Sequence, residues 1–205
     1  MAILLPLVFY GGQAAAVLGL VTLAILAVFF LYLPKIIGEH FDFLPVMKVV
    51  FGFLYIPFMV SYLIWLRGGH DGIFWVFFVI VMAFSGDVAA YYVGRAFGKE
   101  KLIPLVSSGK TIAGTWALIG SSTICCVLYA WIFMPDLSPF HAVALGLAGS
   151  VLGQLGDLCE SVIKRASGVK DSGAILPGHG GILDRLDCLI FISPFTYYYK
   201  TFIIS

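Results

Sequence analysis

Six stretches of this chain, at about 14–33, 49–66, 73–93, 112–134, 140–156 and 188–204, stay apolar over most of the length a helix needs to cross a bilayer. The hydrocarbon core takes about 20 such residues. In lipid every backbone N–H and C=O must be paired internally, so runs of this kind fold as helices. Charge usage agrees: 61% of the 205 residues are hydrophobic and 11% are charged, against about a quarter charged in a soluble domain. The expected fold is all-α, a polytopic integral membrane protein with about six transmembrane helices and a cytoplasm-facing polar site. N-terminal membrane helices fill 1–72, and 73–205 forms a second region that carries the motifs below. Residues 3–10 are apolar but too short to cross, and read as a re-entrant or interfacial piece. Gly146, Ala148, Gly149 and Gly153 make the fifth stretch suited to close helix packing rather than to lipid.

Several function classes fall away. The net charge is +1, so no basic field is available for nucleic acid. Cys125, Cys126, Cys159 and Cys188 form neither a CxxC nor a zinc spacing and read as small apolar side chains. Residues 1–10 lack a basic n-region, and no cleavage-like site follows the first long apolar run, so no secretory signal is expected.

Basic residues sort the loops. Lys35 and Lys48 lie between the first and second stretches. Arg95, Lys99, Lys101 and Lys110 follow the third, and Lys164, Arg165, Lys170 and Arg185 follow the fifth. The loop after the second holds only Arg67, and the loop after the fourth holds none. The positive-inside rule then puts the 94–111 and 157–187 loops together in the cytoplasm, where one site can draw on both.

Three polar groups carry chemistry. Asp87 lies inside an apolar span, where a carboxylate is costly and marks a site by default. Asp87, Tyr91 and Arg95 share a helix face at i, i+4 and i+8, and an internal Asp87–Arg95 ion pair is the plainer reading. Next, 107-SSGKTIAG-114 holds Gly-Lys-Thr, but a phosphate loop needs a glycine where Pro104 stands, and no strand is expected before it. As a turn opening a helix it offers backbone N–H groups, Lys110 and Thr111 to an anion, or else a simple helix cap. In the third group Asp157, Ser161 and Lys164 or Arg165 recur at helical spacing, while Glu160 and Lys164 at i, i+4 are able to pair with each other.

The densest stretch follows, 177-PGHGGILDRLD-187. Gly178, Gly180 and Gly181 let the backbone bend or approach a ligand, and a helix start there favours phosphate. Asp184 and Asp187 face one way at i and i+3. Two such carboxylates repel unless a hard cation, Mg2+ or Mn2+, lies between them. His179 is a ligand, a phosphate donor or a loop hydrogen bond. Acids for a divalent metal, fixed cations and glycine turns are the equipment for a polyphosphate. An anionic phosphate nucleophile needs no general base.

The run 161-SVIKRASGVKDSGAILPGHGGILDRLD-187 resembles the signature of phosphatidate cytidylyltransferases, the CDP-diacylglycerol synthases. Ser161, Lys164, Arg165, Lys170, Asp171, Gly173, Leu176, Pro177, His179, Gly180, Gly181, Asp184, Arg185 and Asp187 fill its fixed positions. Asp87, Tyr91, Gly94, Arg95, Gly98, Lys99 and the Gly-Lys-Thr turn also resemble the family, so the similarity covers about 84–190. Two positions depart from the family turn: Ser108 stands for a proline and Ala113 for a glutamate.

The resemblance implies transfer of CMP from CTP to phosphatidic acid, giving CDP-diacylglycerol and pyrophosphate, with Mg2+ required and a second cation left open. It implies that Asp157, Asp184 and Asp187 serve the metal, with Ser161 beside them and Asp171 in the same machinery. Lys110, Lys164, Arg165, Lys170 and Arg185 would hold the phosphates, while Asp87, Tyr91, Arg95, Thr111, His179, Gly180 and Gly181 would bind substrate. It implies a multi-pass enzyme of the inner membrane, working as a homodimer. Rival readings are a CTP-dependent polyprenol or phytol kinase, a cytidylyltransferase for another lipid phosphate, and a small ion-coupled transporter using Asp87.

Overall fold

The computed structural model describes residues 4–11, 14–38, 42–169, 172–173, 181 and 183–204. Lys170, Asp171, His179 and Gly180, expected in the site, lie outside the described residues. A short helix α1 (Leu4–Tyr10) is followed by α2 (Ala14–Gly38), then α3 (Leu44–Phe53) and α4 (Tyr62–Gly68) joined by a π-helical stretch, Leu54–Phe58. Then come α5 (Gly72–Phe97), a hairpin of β1 (Lys101–Ile103) and β2 (Ser107–Thr111), α6 (Ile112–Phe133), α7 (Pro139–Ala166) and α8 (Leu183–Tyr199). A second π-helical stretch, Lys200–Ile204, continues α8.

Five segments are helical, long and apolar enough to cross a membrane: Ala14–Pro34, Leu44–Gly68, Gly72–Phe97, Ile112–Phe133 and Pro139–Ala166. The sixth expected span, 188–204, is helical as α8 and its π-helical continuation. The chain is an all-α polytopic membrane protein. Its outer faces are apolar, as a lipid-facing surface requires, with Phe30 82% and Trp131 79% exposed on α2 and α6. Within the second span, Pro57 has no N–H for the helical ladder, and the backbone widens to a π turn around it.

Two boundaries differ from the sequence reading. The 94–111 segment is no open loop: α5 runs on to Phe97, and β1 pairs antiparallel with β2, Lys101 opposite Thr111. A strand therefore does precede the Gly109-Lys110-Thr111 step, which itself lies in β2 rather than in a turn. Short, alternating Lys101-Leu102-Ile103 is too brief a signal to read as a strand by periodicity. The second difference is that α7 continues nine residues past Asp157, because the polar residues beyond it keep helical spacing. It closes with a Schellman motif in which Gly168 adopts φ +71°, Gly168 N–H donates to Arg165 O and Val169 N–H to Lys164 O.

The core is a stack of α5, α6, α7 and α8 around Phe78, Val79, Met82, Cys126, Leu145 and Ile192. Ser122 Oγ donates to Met82 O at 2.7 Å and ties α6 to α5. Gly149 lets α7 lie against Met82; a Cβ there would sit 1.9 Å from its sulfur. On the other side Phe9, Tyr62, Trp65 and Tyr197 form an aromatic cluster that seats α1 on α4 and α8, with Trp65 Nε1 donating to Phe9 O at 3.0 Å.

Candidate active site

The inner half of α7 and the first turns of α8 build the centre. Gln154, Asp157 and Glu160 follow each other at three-residue steps on one face of α7, and Asp184 and Asp187 do so on α8. Gly156 brings the two helices together: a Cβ on it would lie 2.6 Å from Asp187 O. As a result, one oxygen from each of Asp157, Glu160 and Asp187 lies within 4.8 Å of the other two.

Three like charges at that spacing repel unless a cation joins them. Two lysines partly compensate. Lys110 of β2 pairs with Asp157, and Lys164 pairs with Glu160 and, at 2.7 Å, with Asp184. Glu160 is fully buried, and its Oε1 has no partner among the described residues. Burial and the charge of Asp157 push the Asp187 carboxyl up to about 6, against the pull of the Cys188 N–H, which donates to its Oδ1 at 2.7 Å. A deeply buried carboxylate oxygen without a donor, inside a triad of hard oxygen ligands, fits a divalent cation such as Mg2+.

Asp184 occupies a different cradle. Its Oδ1 accepts from Lys164, and its Oδ2 accepts from Gly181 N–H at 2.7 Å, Ser172 N–H at 3.1 Å and Ser172 Oγ at 2.9 Å. Burial opposes its charge, but the Lys164 ammonium and these N–H groups hold it well below the usual carboxylate range. So Asp157 and Asp187, two of the three acids read as metal ligands, stand together, with Glu160 as their third member. Asp184 is linked to them through Lys164 and interacts directly with Glu160.

The remaining residues spread around this centre. Ser161 lies one turn beyond Asp157 on α7. Arg165 and Arg185 are exposed, Arg165 Nη1 donating to Val169 O at 3.4 Å and Arg185 lying within electrostatic reach of Asp87. Thr111 caps α6 by accepting Gly114 N–H at 3.1 Å, so the helix-cap reading of that turn holds for its hydroxyl. The Asp87–Arg95 ion pair does not form among the described residues; Arg95 Nη1 donates to Tyr91 Oη at 3.2 Å instead. Asp87, Tyr91, Lys110, Thr111, Gln154 and Asp157 line a cavity of about 190 Å3 beside the carboxylates.

Three site residues were not singled out from the sequence. Glu160 read as a partner for Lys164 alone. Gln154 had a findable signal, its three-residue step before Asp157. Tyr55, on the π-helical stretch, lies within electrostatic reach of Glu160 and Asp187, and its buried hydroxyl has no partner among the described residues. Nothing in its local sequence marks it.

Comparison with known proteins fixes the family. The profile of the Cytidylyltransferase family matches residues 1–203. The chain belongs to the cytidylyltransferase family. This cytidylyltransferase-family chain is 37% identical over 164 residues to the phosphatidate cytidylyltransferase of Bacillus subtilis, covering 80% of the chain and 61% of that relative. It is 36% identical over 174 residues to the phosphatidate cytidylyltransferase of Haemophilus influenzae, covering 78% and 59%. The uncharacterized protein YnbB of Escherichia coli is 37% identical over 173 residues, with 80% and 57% covered. The chain thus spans about three fifths of the length of these relatives.

Proposed function

We propose that this protein transfers CMP from CTP to phosphatidic acid, forming CDP-diacylglycerol and pyrophosphate. The observation that carries the reading is the convergence of Asp157, Glu160 and Asp187 with Lys110 and Lys164 beside a small polar cavity. The names of the Bacillus and Haemophilus relatives support it.

Asp157, Glu160 and Asp187 would hold Mg2+, with Mn2+ as a substitute, and a second cation remains open. When bound, the cation supplies charge neutralisation for the nucleotide phosphates and the departing pyrophosphate. Lys110, Lys164, Arg165 and Arg185 draw the triphosphate and the lipid phosphate to one place and offset their mutual repulsion. A lipid phosphate oxygen forms the new P–O bond at the α-phosphorus of CTP while the bond to the β-phosphate breaks. The nucleophile is already ionised, so no side chain removes a proton. Asp184 keeps Lys164 beside Glu160 and ties the Gly181 and Ser172 N–H groups to the start of α8. The protein works from the cytoplasmic face of the inner membrane, since the 94–111 and 157–187 segments carry eight of its twelve basic residues, and it works as a homodimer.

Purified protein in detergent, given labelled CTP, Mg2+ and phosphatidic acid, is expected to release pyrophosphate and form a CMP-bearing lipid. Formation of CDP and a phosphorylated polyprenol or phytol would replace this reading with a kinase.

A further inference from the structure

The cavity beside the carboxylate triad has a composition unsuited to a bare phosphate. Its walls come from α5, α6, α7 and β2, and its polar lining includes two carboxylates, Asp87 and Asp157, against one ammonium, Lys110. That ammonium is already paired with Asp157. Asp87 lines the cavity within electrostatic reach of Lys110 and Arg185, and among the described residues no donor hydrogen-bonds to it.

Gln154 also lines the cavity; it is 92% buried by its 8% exposure, and its Nε2 has no hydrogen-bond partner among the described residues. A buried amide N–H without an acceptor is costly, by more than a typical hydrogen bond contributes when made. Two complementary groups therefore line one small space: an acceptor that cannot donate and a donor that lacks an acceptor. At about 190 Å3 the cavity has room for a ring-sized fragment and not for a whole nucleotide. Asp157 belongs both to this cavity and to the triad, and Gln154 lies one helical turn before it. A group in the cavity is thus attached to whatever the triad holds by a spacer about as long as one turn.

We propose that this cavity reads the cytosine ring of the nucleotide, Asp87 accepting from the exocyclic amine and Gln154 donating to the ring nitrogen or carbonyl oxygen next to it. The inference rests on the nucleotide reading above and deepens it. Cytosine presents an amine donor beside two acceptors, and carboxylates are the side chains that accept from that amine. Uracil presents a carbonyl at the same place, so its oxygen would meet the Asp87 carboxylate with no proton between them. The Gln154 amide can turn over to serve either ring, whereas the carboxylate cannot. Asp87 therefore sets the base preference and Gln154 holds the ring.

The test is nucleotide affinity of the full chain in detergent with Mg2+, measured by calorimetry with CTP, UTP and the pyrimidin-2-one ribonucleoside triphosphate that lacks the exocyclic amine. Wild type is expected to bind CTP at least about tenfold more tightly than the other two. Asp87→Asn, whose amide both accepts and donates, is expected to bring CTP and UTP within about threefold of each other. An amine-lacking analogue that binds wild type as well as CTP overturns the proposal, as does an unchanged CTP preference in Asp87→Asn. Should Asp87→Asn fail to fold, the analogue on wild type decides alone. CMP-lipid formation is measured beside it: base selection through Asp87 without lipid product refutes the proposed reaction, and lipid product without such selection refutes only this assignment.

Discussion

At the scale of single residues, Glu160 is the most consequential. A fully buried carboxyl among other acids has Lys164 on one side and needs a cation or a proton for its remaining oxygen. Glu160→Gln is expected to lower turnover by at least about 100-fold while the protein remains folded, measured by CMP-lipid formation and circular dichroism. Asp187 predicts a pH dependence. Its carboxyl is raised to about 6 by burial and by Asp157, so the cation-free fold holds a proton that the unfolded chain has lost above its ordinary value. Stability of that form therefore falls as pH rises towards about 6 and is level above it. Asp184 acts oppositely: its lowered value adds stability above the ordinary carboxylate range, lost only in strong acid. A cation must displace the Asp187 proton, so Mg2+ affinity is expected to fall by up to about tenfold per pH unit below that point. Titration of Mg2+ at pH 5 and pH 7 checks it; equal affinities would contradict it. Asp187 was readable from its i, i+3 spacing with Asp184, and Asp157 as a metal ligand only from the family resemblance. Glu160 was not, since its i, i+4 lysine offered a sufficient partner within its own helix.

Helix pairs carry the next level. The triad exists only because α7 and α8 approach closely at Gly156, where an added methyl would meet the Asp187 backbone oxygen rather than a movable side chain. Gly156→Ala is expected to cost about 1–3 kcal/mol and to reduce turnover at least tenfold through displacement of Asp187. Thermal unfolding and CMP-lipid formation measure the two effects. Gly149→Ala is the control, because the neighbour there is the flexible end of Met82. The sequence marked Gly149 among the small residues of an apolar run suited to close packing, and Gly156 closes that same run. It could not show which glycine faces a core methionine and which faces the site. The β1–β2 hairpin was hidden for a related reason: eight strand residues supply too little alternation to outweigh the helical pattern around them.

Over the whole molecule, composition alone dictated a helical membrane protein, and hydropathy located its spans to within a few residues at most ends. Ends were missed where polar residues continued a helix past the apolar run, as in α7. Topology adds a prediction. In a chain with its four native cysteines replaced by alanine, Lys101→Cys in β1 is expected to react with a membrane-impermeant maleimide only after cells are opened. Asp136→Cys, between α6 and α7, is expected to react in intact cells. The reverse pattern would invert the orientation. The account's central claim is that Asp157, Glu160 and Asp187 together bind a divalent cation, and paramagnetic resonance of Mn2+ added to the purified protein tests it most directly. Wild type and Asp184→Asn are expected to show bound Mn2+, and the combined Asp157→Asn, Glu160→Gln, Asp187→Asn variant none; a folded triple variant that binds Mn2+ like wild type would contradict the claim.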